Sequence, residues 1–142
     1  MSDGQNVLDA FYNPSFREWG VDETLQKIFQ EGYDTSIVVA VETQGSGLNG
    51  QRLDELTPFK SVFGGGKGDL FLDFVLNNVK PFIDKTFRTL PDRKNTAFIG
   101  SSLGGLFSLY TGLKNQEIFG KIGSFSPAYI VNPEIYKIAS DN

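Results

Sequence analysis

Five residues near the middle of the chain have the types and spacing that nucleophilic chemistry needs: Gly100-Ser101-Ser102-Leu103-Gly104. A serine hydroxyl attacks a carbonyl only if it stands clear of the backbone and close to a proton acceptor. A sharp turn from strand to helix provides the first condition. It brings neighbouring backbone so close that the residues two before and two after the serine must be small. Gly100 and Gly104 meet that requirement for Ser102. The equivalent positions for Ser101 are Ile99 and Leu103, which do not. Ser102 is therefore the candidate nucleophile.

The elements that must hold such a turn are legible on either side. Thr96 to Ile99 reads as a short apolar strand entering it. Leu103 to Lys114 reads as an amphipathic helix leaving it, with Leu103, Leu106, Phe107, Tyr110 and Leu113 inward. The amides at the start of that helix can stabilise developing negative charge. Gly105 permits close packing of helix on sheet. Gly120 marks the exit, and Ile122 to Phe125 is a further strand closed by Ser126-Pro127.

Upstream, Val21, Leu25, Ile28 and Phe29 share one face of a helix over Asp22 to Gln30. Asp22 is its expected cap and Gly32 its stop. Ser36 to Val41 is a continuous apolar run rich in β-branched residues, the pattern of a buried parallel strand. Asp69 is expected to cap a longer helix to Asp84, with Leu70, Phe71, Phe74, Val75, Val79, Phe82 and Ile83 on its apolar stripe. Pro81 should kink or break that helix. This alternation of strand and helix predicts an α/β fold with a mostly parallel sheet in one domain over residues 1–142.

Other patterns are weaker. Gly45-Ser46-Gly47-Leu48-Asn49-Gly50 has dinucleotide-loop spacing, but the short segment Gln51 to Thr57, stopped by Pro58, is a poor platform for a pyrophosphate. Gly64-Gly65-Gly66-Lys67-Gly68 lacks the hydroxyl residue of a phosphate loop and reads as a flexible loop. Arg52 and Glu55 either contact a substrate or pair with each other to shape a turn, the second reading being favoured. Trp19 fits a substrate pocket or the core equally well.

Composition narrows the function. The 142 residues include 39% hydrophobic and 21% charged residues, enough to build a core, with 13 phenylalanines to fill it. A net charge of −4 with no basic cluster argues against nucleic-acid binding. No apolar run is long enough for a membrane span. The start, Met1-Ser2-Asp3-Gly4, lacks the features of an export signal, so the cytoplasm is the default location. There is no cysteine, which excludes disulfides and thiolate chemistry. There is also no histidine, the usual general base. Neither a metal nor a cofactor is expected.

With these residues in hand, the chain resembles the putative-esterase family of α/β-hydrolases, which includes enterochelin esterases, esterase D, feruloyl esterases and mycolyltransferases. The resemblance rests on Asp3-Gly4-Gln5-Asn6, Arg52-x-x-Glu55-Leu56-x-Pro58, Pro81-Phe82-Ile83-Asp84, the Gly100 to Gly105 turn and Ser126-Pro127, in that order. It implies a three-layer α/β-hydrolase sandwich, present here as an incomplete central portion. It implies ester hydrolysis through an acyl-enzyme on Ser102, with an oxyanion hole from the backbone N–H groups of Leu103 and Gln5. The substrate class would be a small-molecule ester or thioester. Siderophore, feruloyl and acetyl esters all fit, and the oligomeric state is left open.

The chain departs from the family in two ways. Ser2 stands where members often carry a histidine. The family's triad acid and histidine lie in later segments, and Glu117, Glu134 and Asp141 are not at the acid's position. The family's third strand would end just before Asp3, so the expectation is a chain cut at both ends. A non-catalytic binding module that kept the pocket and lost the base is the alternative reading.

Overall fold

The computed structural model describes residues 1–8, 11, 18–45 and 50–141. Most of the Gly45 to Gly50 pattern lies outside the described residues. The chain divides into two compact units, Met1–Thr43 and Gln44–Asn142.

In the first unit, Asp3 takes a left-handed conformation (φ 57°, ψ 47°) and opens a 3₁₀ turn over Gly4–Asn6. Gly4 lies against the 40–42 backbone: a Cβ there would come within 2.7 Å of the Ala40 carbonyl carbon. The Gly4 N–H donates to Val41 O at 2.9 Å, Val41 N–H to Met1 O at 2.9 Å, and the Met1 amino group to Val39 O at 2.6 Å. The expected strand over Ser36 to Val41 does not form, and this stretch lies outside any sheet. A strand exists only through its ladder. Among the described residues, the backbone partners of this stretch are Met1 and Gly4 alone. Nor is the stretch buried, with Ile37 53% exposed.

Helix α1 follows the expected path over Val21–Gln30 but is not capped by Asp22. Its N-cap is Gly20, left-handed at φ 61°. Asp22 instead sits in the first turn, where its charge favours the helix dipole. Gly32 ends the helix as expected. Its N–H reaches Phe29 O at 3.0 Å while Tyr33 N–H reaches Ile28 O at 3.2 Å, the paired bonds of a Schellman stop. No residue of α1 is buried, and Phe29 is largely exposed.

The second unit begins with α2 (Gln51–Leu56). The glycine loop beyond it is tightly built, contrary to the flexible loop expected. Thr57 Oγ1 donates to Leu53 O (2.7 Å) and accepts the Gly66 N–H (2.9 Å). A Cβ on Gly65 would lie 2.1 Å from that same hydroxyl oxygen.

The long helical stretch is α3 (Gly68–Phe74), a π-helical turn (Val75–Val79) and α4 (Lys80–Thr86). Pro81 does not break it. The wider π turn before the proline absorbs the missing N–H and the crowding its ring causes. Lys67, not Asp69, is the N-cap. Asp69 instead accepts the Tyr110 hydroxyl at 2.6 Å. Of the expected stripe, Phe71 and Val75 are buried, joined by Leu72. Leu70, Phe74 and Phe82 point outward.

The centre is a parallel β–α–β unit: β1 (Ala97–Ser101), α5 (Leu103–Lys114) and β2 (Lys121–Phe125). The strands pair in register from Ala97↔Lys121 to Ser101↔Phe125. Phe107 on α5 is the hub of the core, with ring centroids 5.4 Å from Phe71 and 5.6 Å from Phe98. Phe98 in turn meets Phe119 at 5.6 Å. Helix α6 (Ile135–Ser140) closes the unit. Asn132, fully buried before α6, accepts the Phe59 N–H (3.1 Å) and donates to Phe59 O (2.8 Å). The architecture is thus α/β, with a two-stranded parallel sheet among the described residues.

Candidate active site

Ser102 stands between the last residue of β1 and the first of α5, at φ 58° and ψ −118°. That combination is strained for any residue with a Cβ, and it is sustained only where surrounding bonds over-determine it. Here the bonds come from the end of β2. The Ser102 N–H donates to Phe125 O at 3.0 Å, and the Ser102 carbonyl accepts the N–H of Ala128 at 3.0 Å and of Leu106 at 3.1 Å.

The two sheet-facing elements can close this tightly because Gly105 has no side chain. A Cβ there would fall 2.7 Å from Phe125 O and 3.2 Å from Pro127 Cα. Ser124 Oγ adds a bond to Gly105 O at 2.8 Å.

The Ser102 side chain is exposed, while Leu103 to Ser108 behind it are buried. Among the described residues, Ser102 Oγ has no hydrogen-bond partner. The N–H groups of Leu103, Gly104 and Gly105 have no acceptor either, and no side chain caps them. Free donors at the start of a 12-residue helix, beside an exposed hydroxyl, form an environment suited to an anion developing on a reacting oxygen.

The other singled-out residues are placed as follows. Gln5 lies in the first unit, in the 3₁₀ turn. Its side chain is held by Thr43, whose N–H reaches Gln5 Oε1 at 3.3 Å. Its own backbone N–H has no acceptor among the described residues. Trp19 also lies in the first unit and donates its backbone N–H to Asn6 O at 2.9 Å. It is 40% exposed, which overturns the core reading of that residue.

Arg52 and Glu55 lie on helix α2. Arg52 is buried, and Glu55 Oε2 accepts the N–H of Gln44 at 3.1 Å, shaping the entry to α2. The corner at Ser126 to Ala128 is a positioning feature that spacing alone did not reveal. Its one sequence signal was the Ser-Pro pair.

The family model described as "Putative esterase" matches residues 2–138. A relative, the uncharacterized protein YbbA of Bacillus subtilis (strain 168), is 32% identical over 115 residues, which is 75% of this chain and 44% of the relative. The match thus spans less than half the length of this curated relative. No solved structure matches the chain. A match over residues 2–138 shows that this chain belongs to the putative-esterase family.

Proposed function

We propose that the protein hydrolyses carboxylic esters through an acyl-enzyme on Ser102. The observation that carries this reading is the strained, exposed Ser102 between a parallel strand and a helix with free N-terminal amides. Family membership supports ester hydrolysis at the coarse level. In the reaction, Ser102 Oγ bonds to the ester carbonyl carbon and its proton passes to a general base. The carbonyl oxygen becomes an oxyanion, with the Leu103 N–H as one donor. The second donor, Gln5 N–H, rests on the family resemblance. Collapse of the intermediate breaks the carbon–oxygen bond to the alcohol, which leaves with the proton. Water then releases the acid and restores the serine.

The base is the missing part. These 142 residues contain no histidine, the usual general base. The acid and the histidine belong to sequence outside these residues. The substrate is a small-molecule ester or thioester.

The absence of histidine also favours a second reading, a binding module that kept the elbow without catalysis. One experiment separates them. The full-length protein is treated with a fluorophosphonate and digested, and its peptides are weighed. The esterase reading expects one adduct, on Ser102, and none in Ser102→Ala. An adduct on Ser101 refutes the assignment, and no adduct at all favours the binding module.

A further inference from the structure

Among the described residues, three non-glycines have left-handed backbone: Asp3, Ser102 and Ser126 (φ 39°). The third has no assigned role. Its conformation is unfavourable for a residue with a Cβ, and such strain survives only where neighbouring structure enforces it. Ser126 immediately follows β2. The residue before it, Phe125, accepts the N–H of Ser102. The residue two after it, Ala128, donates to the carbonyl of Ser102, each at 3.0 Å. Both backbone polar groups of Ser102 are therefore gripped by one corner, and Ser126-Pro127 forms its bend.

For one segment to reach both groups, the chain must reverse within two residues. A left-handed residue followed by proline, with its fixed φ, does this. The corner is also pressed onto α5, since Pro127 Cα lies 3.2 Å from where a Gly105 Cβ would stand. Ser124 Oγ anchors its near side to Gly105 O at 2.8 Å and meets Tyr129 OH at 3.3 Å.

We infer that Ser126 is a positioning residue for the nucleophile: its left-handed backbone sets the corner that holds Ser102 in its strained conformation and so aims the Ser102 hydroxyl. This rests on the reading of Ser102 as nucleophile. The relevant property of Ser126 is backbone conformation, not its hydroxyl. Misplacing a reacting atom by about 1 Å costs on the order of a hundredfold in rate, whereas substrate binding does not need that alignment. The signature is therefore a fall in kcat at constant KM, ordered by how well each residue tolerates a positive φ.

The test uses the full-length protein and p-nitrophenyl acetate, with Ser126→Gly, Ser126→Asn, Ser126→Ala and Ser126→Val, and Ser102→Ala in parallel. Folding of each variant is checked by near-ultraviolet circular dichroism. We expect Gly and Asn within about threefold of wild-type kcat, Ala lower, and Val down by roughly tenfold to a hundredfold, with KM unchanged within about threefold. If Val does not fold, the order Gly and Asn above Ala decides. Equal kcat across the folded variants overturns the inference, as does a loss in Gly and Asn as large as in Ala. An active Ser102→Ala overturns the nucleophile reading instead. An inactive Ser102→Ala beside fully active Ser126 variants overturns only the positioning role.

Discussion

Replacing Gly105 by alanine tests whether the close approach of α5 to the end of β2 is what holds the elbow. In an uncrowded helix interior, Gly→Ala stabilises by about 1 kcal/mol. At Gly105 the new methyl would stand 2.7 Å from Phe125 O and 3.3 Å from Phe125 N. Both are backbone atoms, so no rotamer change relieves the clash. The first turn of α5 must move away from the strand.

That movement strains two hydrogen bonds, Ser102 N–H to Phe125 O at 3.0 Å and Ser124 Oγ to Gly105 O at 2.8 Å. Each is worth about 1 kcal/mol net. Overpacking adds about 1–3 kcal/mol. Set against the helix gain, the expected net loss is about 2–4 kcal/mol. Urea unfolding reads it as a lower midpoint at unchanged slope.

Gly112→Ala is the matched control. The atoms nearest its Cβ are side-chain atoms of Ile122, Cγ1 first, rather than backbone. It should cost less, and it should leave fluorophosphonate labelling of Ser102 unchanged where Gly105→Ala slows it at least about tenfold. A Gly105→Ala protein that is more stable than wild type, or that labels at the wild-type rate, would refute the reasoning.

Other outcomes follow from the same structure. Burial, and then the Asp69 carboxylate that accepts its hydroxyl, push Tyr110 well above its ordinary pKa of 10.0. The resulting stabilisation is fully present below about pH 10 and is lost as pH rises through the raised folded-state value. Ultraviolet difference titration should therefore show one tyrosine ionising late, and Asp69→Asn should bring it earlier. Asn132→Ala removes the side chain that satisfies both backbone groups of Phe59, and should lower stability by about 2–4 kcal/mol in urea melts. The 142 residues alone, without histidine, should turn over p-nitrophenyl esters negligibly. They should also oligomerise in light scattering, because β1 and β2 leave open edges among the described residues.

What could be read from the sequence was local, and what could not depended on partners. The turn at Ser102 was legible because its sterics involve only residues within two positions of the serine, and the strand and helix around it follow from short-range pattern. The glycine at 105 was legible as a packing residue for the same reason. Ser36 to Val41 has a strand's composition, yet among the described residues it finds backbone partners only at Met1 and Gly4. Composition cannot supply a ladder.

The caps failed differently. Asp22 and Asp69 are acidic residues at helix starts, but each helix is capped two residues earlier, by Gly20 and Lys67. The acidic residues therefore fall in the first turn. Pro81 gave no hint of the π turn that accommodates it. The corner at Ser126 was hidden because the residues it bonds to, Ser102 and Gly105, lie some twenty residues away in sequence.

Ester turnover by the full-length protein with and without Ser102 tests the central claim most directly. With p-nitrophenyl acetate, Ser102→Ala should lower kcat at least about a thousandfold while KM changes little, since the hydroxyl is needed for the covalent step and not for binding. A Ser102→Ala protein that turns over the ester at the wild-type rate would contradict the account.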